Sequence, residues 1–187
     1  MAHYVMGDIH GEADRFHAML ERIHLSEEDT LILLGDVIDR GPDGIALLLE
    51  SMAMPNVIML LGNHEYMMLQ DLIPDATGIE IRRWNKNGNA PTLAAYLKQK
   101  EKVQQRIIAY LRSIPNYLDI EVAVKRFYMV HGFPGDNVHD AVWTRPTMES
   151  ENPSPDGRLI IGHTKVLSLI QPEEKRINHA LDLESRG

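Results

Sequence analysis

Apolar residues recur along this chain with two periods, and the alternation between them predicts most of an architecture. Short apolar runs at about 3–6, 30–34 and 57–61, bounded by Gly and Asp, read as strands, and helical periodicity fills about 12–23 and 43–52 between them. That strand-helix-strand-helix-strand order implies a largely parallel sheet with right-handed crossovers, whose ligands collect at the carboxyl ends of the strands. From Glu65 to about Leu111 the pattern turns helical, interrupted by Pro74 to Gly78 and by Asn85-Lys86-Asn87-Gly88-Asn89-Ala90-Pro91. This stretch reads as a cap-like insertion over about 66–112. Its second helix is expected from roughly Thr92 to Arg112, with Lys98, Lys100, Glu101 and Lys102 on a solvated face. After Pro115, strands are expected near 118–123, 126–131, 158–162, 166–170 and 175–181, around a polar loop from Asp136 to Asp156. Without an internal repeat or a low-complexity linker, the second half is expected to form a second sheet packed on the first.

Composition narrows the function classes. A chain of 187 residues that is 44% hydrophobic and 25% charged describes a single domain over 1–187 able to bury a sizeable core. A net charge of -8 disfavours gathering a phosphate backbone, so no nucleic-acid partner is expected. The absence of cysteine removes thiol catalysis, disulfides and zinc-thiolate sites. Met1-Ala2-His3-Tyr4-Val5-Met6 runs straight into a strand without a signal-peptide pattern, and no run approaches the roughly 20 apolar residues of a membrane span. A cytoplasmic protein with no membrane partner is the expectation.

Three islands follow the first three strands: Gly7-Asp8-Ile9-His10-Gly11, Gly35-Asp36-Val37-Ile38-Asp39-Arg40-Gly41 and Gly62-Asn63-His64-Glu65. In Asp8-Ile9-His10 the carboxylate and imidazole are two apart, which points both to one side of an extended segment with Ile9 turned to the core. Asp36 repeats the placement one strand later, where a carboxylate between two cations can bridge them. Asn63 and His64 add an amide oxygen and an imidazole. Mixed oxygen and nitrogen donors suit Mn²⁺, Fe or Zn²⁺ better than Ca²⁺. Each island alone is weak, since Gly-Asp turns after strands are common, but their joint arrival at one sheet edge points to a metal site. His131 and His163 also follow strand-like runs, and either one alone would read as a core histidine. His3, His17, His24, His139 and His179 have no motif around them, and Met52, Met54, Met59, Met67 and Met68 read as adaptable core packing.

These blocks, with Val130-His131-Gly132 and Gly162-His163-Thr164, resemble the calcineurin-like metallophosphoesterases, and within them the bacterial and phage branch of the phosphoprotein phosphatases. The resemblance spans residues 7 to 164. It implies an α/β fold: a four-layer metallophosphoesterase sandwich, two mixed β-sheets flanked by helices, with a helical cap insertion. It further implies two divalent metal ions, Mn²⁺ first with Fe or Zn²⁺ as alternatives. Asp8, His10 and Asp36 would hold one ion, and Asp36 would bridge to a second held by Asn63, His131 and His163. A water between them, acidified to hydroxide, would attack phosphorus in line. His64 would protonate the departing oxygen, oriented by Asp39. Arg40 and Arg145 would bind the phosphate oxygens, although at Arg145, in a loop, surface ion pairing is a competing role. Glu65 is expected to support the loop or cap the following helix.

The activity implied is hydrolysis of a phosphomonoester on a phosphoprotein or a small phosphorylated substrate. Trp84-x-x-Asn87-Gly88 followed by Thr92-Leu93-x-x-Tyr96 resembles the cap of small Ser/Thr protein phosphatases and places a phosphoprotein first. The alternative is a symmetrical dinucleoside tetraphosphate hydrolase; a noncatalytic scaffold of the same fold comes last, because every expected ligand and His64 are present. One departure stands out. The usual closing Ile-Asp-x-Gly turn is replaced by Ile177-Asn178-His179-Ala180-Leu181-Asp182, so a lost terminal strand or a truncation is expected, and the oligomeric state stays open.

Overall fold

The run Thr30–Leu33 (β2) is apolar without alternation because both of its faces are covered. Leu31 and Leu33 enter a core shared with helices, whereas Ile32 and the following Leu34 point into a second core between two sheets. Each of these four side chains is fully buried, contributing roughly 1.5–3 kcal/mol apiece relative to exposure. In the computed structural model, which describes residues 1–72, 78–147, 150, 157–163 and 177–179, His3–Met6 (β1) and Val57–Met59 (β3) flank β2 in a parallel sheet of order β1-β2-β3. The register pairs Met6 with Leu33 and Leu33 with Met59, so all three strands end at one edge.

Helices Ala13–Ile23 (α1) and Gly44–Ala53 (α2) make the two crossovers, at the places the periodicity predicts. Helix Asn63–Asp71 (α3) starts directly after β3, and Gly78–Lys86 (α4), Ala90–Leu97 (α5) and Glu101–Ser113 (α6) follow. Phe16 of α1, Leu48 of α2, Met67 of α3, Trp84 of α4, Tyr96 of α5 and Ile107 of α6 all join the helical side of the core. The single helix expected over Thr92 to Arg112 is two helices. Lys100 leaves helical geometry (φ -62°, ψ 145°), and the Gln104 side-chain amide donates to the carbonyls of Tyr96 and Gln99, satisfying the end of α5.

The second sheet, order β4-β5-β6-β7, contains Tyr117–Val122 (β4), Lys125–Val130 (β5), Gly157–Ile161 (β6) and Ile177–His179 (β7). β4 and β5 form an antiparallel hairpin, and β5, β6 and β7 run parallel. Met129 and the partly buried Phe127 face the first sheet; Val130 faces the other way, with Leu159 and Ile161, onto Ala141. Ala141 belongs to helix Val138–Trp143 (α7), which lies inside the stretch expected to be a polar loop. The Asn137 side chain caps α7 by accepting from the Asp140 N–H at 3.0 Å. Layers therefore run helices, parallel sheet, mixed sheet, α7, which is the expected four-layer sandwich, except that the first sheet is parallel over its described strands where a mixed one is expected. The strand expected at 166–170 lies outside the described residues. Among the described residues no helix is long and apolar enough to cross a membrane.

Candidate metal centre

Both sheets deliver polar residues to the same end of the sandwich. Asp8 and His10 follow β1, Asp36 follows β2, Asn63 and His64 open α3 after β3, and His131 and His163 follow β5 and β6. Asp8, His10, Asp36, Asn63, His64 and His131 are all at most 6% exposed. Such burial of ionisable groups is costly unless they share charge. The turns that carry them are strained as well. His10, Asp36, Asp39, Arg40 and His163 adopt left-handed φ between 49° and 71°, at roughly 1–3 kcal/mol each.

Two residues hold the second and third turns together. A Cβ on Gly62 would lie 2.2 Å from Asp36 Oδ1, so only glycine permits the close approach of these turns. Glu65, fully buried, spans the same gap: Oε2 accepts from the N–H groups of Asp36 (2.8 Å) and Gly62 (3.2 Å), and Oε1 from those of Val37 (2.9 Å) and Ile38 (3.2 Å). Burial and the nearby Asp36 charge push its carboxyl up to about 7 against those amides. The expected loop-supporting role is what the geometry shows.

Three imidazoles are oriented by the same device. His10 Nδ1–H donates to the Ile38 carbonyl at 3.0 Å, His131 Nδ1–H to the Leu34 carbonyl at 2.9 Å, and His64 Nδ1–H to Asp39 Oδ2 at 2.6 Å. Each ring therefore turns Nε2 toward Asp36 Oδ2, at 3.7 Å, 3.4 Å and 3.8 Å for His10, His131 and His64. Asp8 closes the far side, its Oδ1 accepting from the His163 backbone N–H at 3.2 Å and its Oδ2 lying 4.0 Å from His10 Nε2. His10, Asp36 and His64 offer ligand atoms within 4.8 Å of one another, as do Asp36, His131 and His163. Asn63 Oδ1 stands 2.9 Å from His131 Nε2.

The charge balance of this pocket fits cations. Burial draws His131 down, but the charge of Asp36, its hydrogen bond, and the charges of Asp8 and Glu65 outweigh it and push His131 up to about 9. Asp36 is held well below the carboxylate range by His131 and His64 despite burial. Burial and the neighbouring His131 push His163 down to about 4, keeping it a neutral imidazole suited to ligation. Carboxylate, amide and imidazole donors converging in this pocket form a site that divalent ions fit.

The two predicted arginines lie on the solvent side, both exposed. Arg40 Nη2 is 3.3 Å from His64 Nε2, and Arg145 Nε is 3.4 Å from His163 Nε2, so one guanidinium borders each cluster. Burial lowers the His64 pKa, but the charge of Asp36 and the hydrogen bond and charge of Asp39 leave it raised above 6.5. All ten residues singled out in the sequence are brought together. Two residues at the centre were read there only as parts of a cap motif: Trp84, whose Nε1–H donates to Asp39 Oδ2 at 2.7 Å, and Thr92, whose Oγ1 accepts from the Asp39 N–H at 2.8 Å. A large aromatic between Arg82, Arg83, Asn85 and Lys86 signals burial, but nothing in its spacing names Asp39 as the partner.

Comparison with known proteins adds four findings. Residues 1–178 match the family described as calcineurin-like phosphoesterase. A symmetrical bis(5'-nucleosyl)-tetraphosphatase of Nitrosococcus oceani is 32% identical over 117 residues, 62% of this chain and 38% of that protein. Its counterpart in Wigglesworthia glossinidia brevipalpis is 41% identical over 71 residues, 37% of this chain and 26% of that protein. The matched stretches thus span well under two thirds of these curated relatives. A protein serine/threonine phosphatase from Saccharomyces cerevisiae superposes with a TM-score of 0.59 over 88% of this chain and 61% of that one, at 16% identity, a likeness of fold.

Proposed function

This chain belongs to the calcineurin-like phosphoesterase family, and on that premise we propose that it is a two-metal hydrolase of a small phosphorylated substrate, first of all a bis(5'-nucleosyl) tetraphosphate. The observation that carries the chemistry is the pair of ligand clusters sharing the Asp36 carboxylate. Asp8, His10 and Asp36 would hold one ion, and Asp36, Asn63, His131 and His163 the other. Two divalent ions there would supply Lewis-acid polarisation of the phosphoryl oxygens and make an attacking water more acidic. Arg40 and Arg145, exposed at the rim, bind and orient the remaining phosphate oxygens. As Arg40 turns onto the phosphate, His64 Nε2 faces the leaving oxygen and gives it a proton. Asp39 holds the imidazole ring by Nδ1 and stabilises its protonated form.

The substrate assignment draws on the tetraphosphatases, 32–41% identical over the matched stretches. The expectation of a phosphoprotein first gives way, because the yeast phosphatase is similar in fold alone. The pattern Trp84-x-x-Asn87-Gly88 with Thr92-Leu93-x-x-Tyr96 keeps it as the second reading. Purified protein loaded with Mn²⁺ should be assayed side by side on diadenosine tetraphosphate and on phosphoserine peptides. A kcat/KM at least about 10²-fold higher on the tetraphosphate, with ADP as product, supports the proposal. The reverse ratio selects the protein phosphatase, and two bound ions without turnover on either sink the catalytic reading.

A further inference from the structure

Residues 84–92 grip Asp39 and Arg40 at three points. The Trp84 indole N–H donates to Asp39 Oδ2 at 2.7 Å, Thr92 Oγ1 accepts from the Asp39 N–H at 2.8 Å, and the Gly88 carbonyl accepts from the Arg40 N–H at 2.9 Å. Trp84 is fully buried and Thr92 1% exposed, so their two bonds to Asp39 do not compete with bulk water. The grip falls on a strained pair: Asp39 and Arg40 have φ of 71° and 67°, a conformation that side chains other than glycine's hold only when their surroundings enforce it. Gly88 completes it, since a Cβ there would lie 3.1 Å from Arg40 Cγ. Asp39 Oδ2 also receives His64 Nδ1–H at 2.6 Å, whereas Oδ1 has no hydrogen-bond partner among the described residues. Both anchors of the carboxylate therefore act on one oxygen. Without the indole, Oδ2 is held by His64 alone, and the ring of His64 loses its independent reference.

We propose that Trp84, backed by Thr92, is a positioning residue for proton delivery: it fixes the Asp39 carboxylate, which fixes His64 against the leaving oxygen. The inference rests on His64 as the proton donor. A tryptophan serving only as core would slow all substrates alike when replaced, whereas a positioning residue acts where the leaving group needs a proton. Phenyl phosphate, with a basic leaving oxygen, and 4-nitrophenyl phosphate, with an acidic one, separate the two roles.

Trp84→Phe, Thr92→Val and, as reference, His64→Ala should be purified with Mn²⁺, and their metal content and melting temperature recorded. For His64→Ala, kcat on phenyl phosphate should fall far more than on 4-nitrophenyl phosphate. Trp84→Phe and Thr92→Val should reproduce that split at smaller size, about tenfold on phenyl phosphate and within about twofold on 4-nitrophenyl phosphate, with KM unchanged. Should Trp84→Phe not fold, Thr92→Val carries the test by itself. If His64→Ala shows the split and both others do not, the positioning role is overturned while the proposed function stands. If His64→Ala slows both substrates equally, the donor assignment falls and takes this inference with it.

Discussion

His64 and Asp39, 25 residues apart in sequence, meet Nδ1 to Oδ2 at 2.6 Å, and neither is more than 1% exposed. The contact joins the turn after β2 to the first turn of α3, so it depends on both sheet order and helix start. It leaves His64 Nε2 on the side of Arg40, 3.3 Å from Nη2.

Asp39→Asn keeps the shape but offers Trp84 and His64 one acceptor and one donor in place of a carboxylate. Turnover of a substrate with a basic leaving group should fall about 10²-fold or more, with metal content unchanged by elemental analysis. A variant within twofold of wild type would show that Asp39 does not orient the donor.

Glu65→Gln places an NH2 group against buried backbone N–H groups that now find a carboxylate oxygen. Each amide left unsatisfied costs roughly 1–3 kcal/mol, and Asp36 shifts with its own N–H. The urea midpoint should drop at constant slope, and manganese affinity with it. Loss of affinity with an unchanged midpoint would place Glu65 among the ligands instead.

In the ion-free protein His131 is raised from 6.5 to about 9 and Glu65 from 4.5 to about 7. A group raised on folding contributes stability that is complete below its unfolded value and lost as pH climbs through its folded one. Both contributions fade in the same direction, that of Glu65 between 4.5 and about 7 and that of His131 between 6.5 and about 9. Chelated protein should therefore lose melting temperature steadily from pH 6.5 to 9, and Mn²⁺-saturated protein, its carboxylates neutralised by the ions, should hold it. Equal pH profiles for the two forms would contradict the charge balance described above.

The first half of the fold was legible because β1, β2 and β3 are short apolar runs punctuated by Gly-Asp or Gly-Asn, and α1 and α2 carry clean helical periods. The break between α5 and α6 was not. Leu93, Tyr96, Val103, Ile107 and Leu111 keep one helical phase across it, and no Gly or Pro marks residues 97–101. Helix α7 was hidden for the opposite reason: only Ala141 and Val142 are buried in a six-residue helix set among polar neighbours. At the site, ligand-type residues sit next to strand ends and announced themselves. The hold on Asp39 did not, since Trp84 and Thr92 reach it across 45 and 53 residues, a pairing that only the packing of α4 and α5 on the core creates.

Crystals grown with Mn²⁺ and measured at its absorption edge test most directly whether two ions share Asp36 with His64 outside the ligand set. Two anomalous peaks are expected to flank Asp36 Oδ2, one against Asp8 and His10 and the other against Asn63, His131 and His163, with His64 Nδ1 still on Asp39. A single peak, or one bound by His64 Nε2, would contradict it.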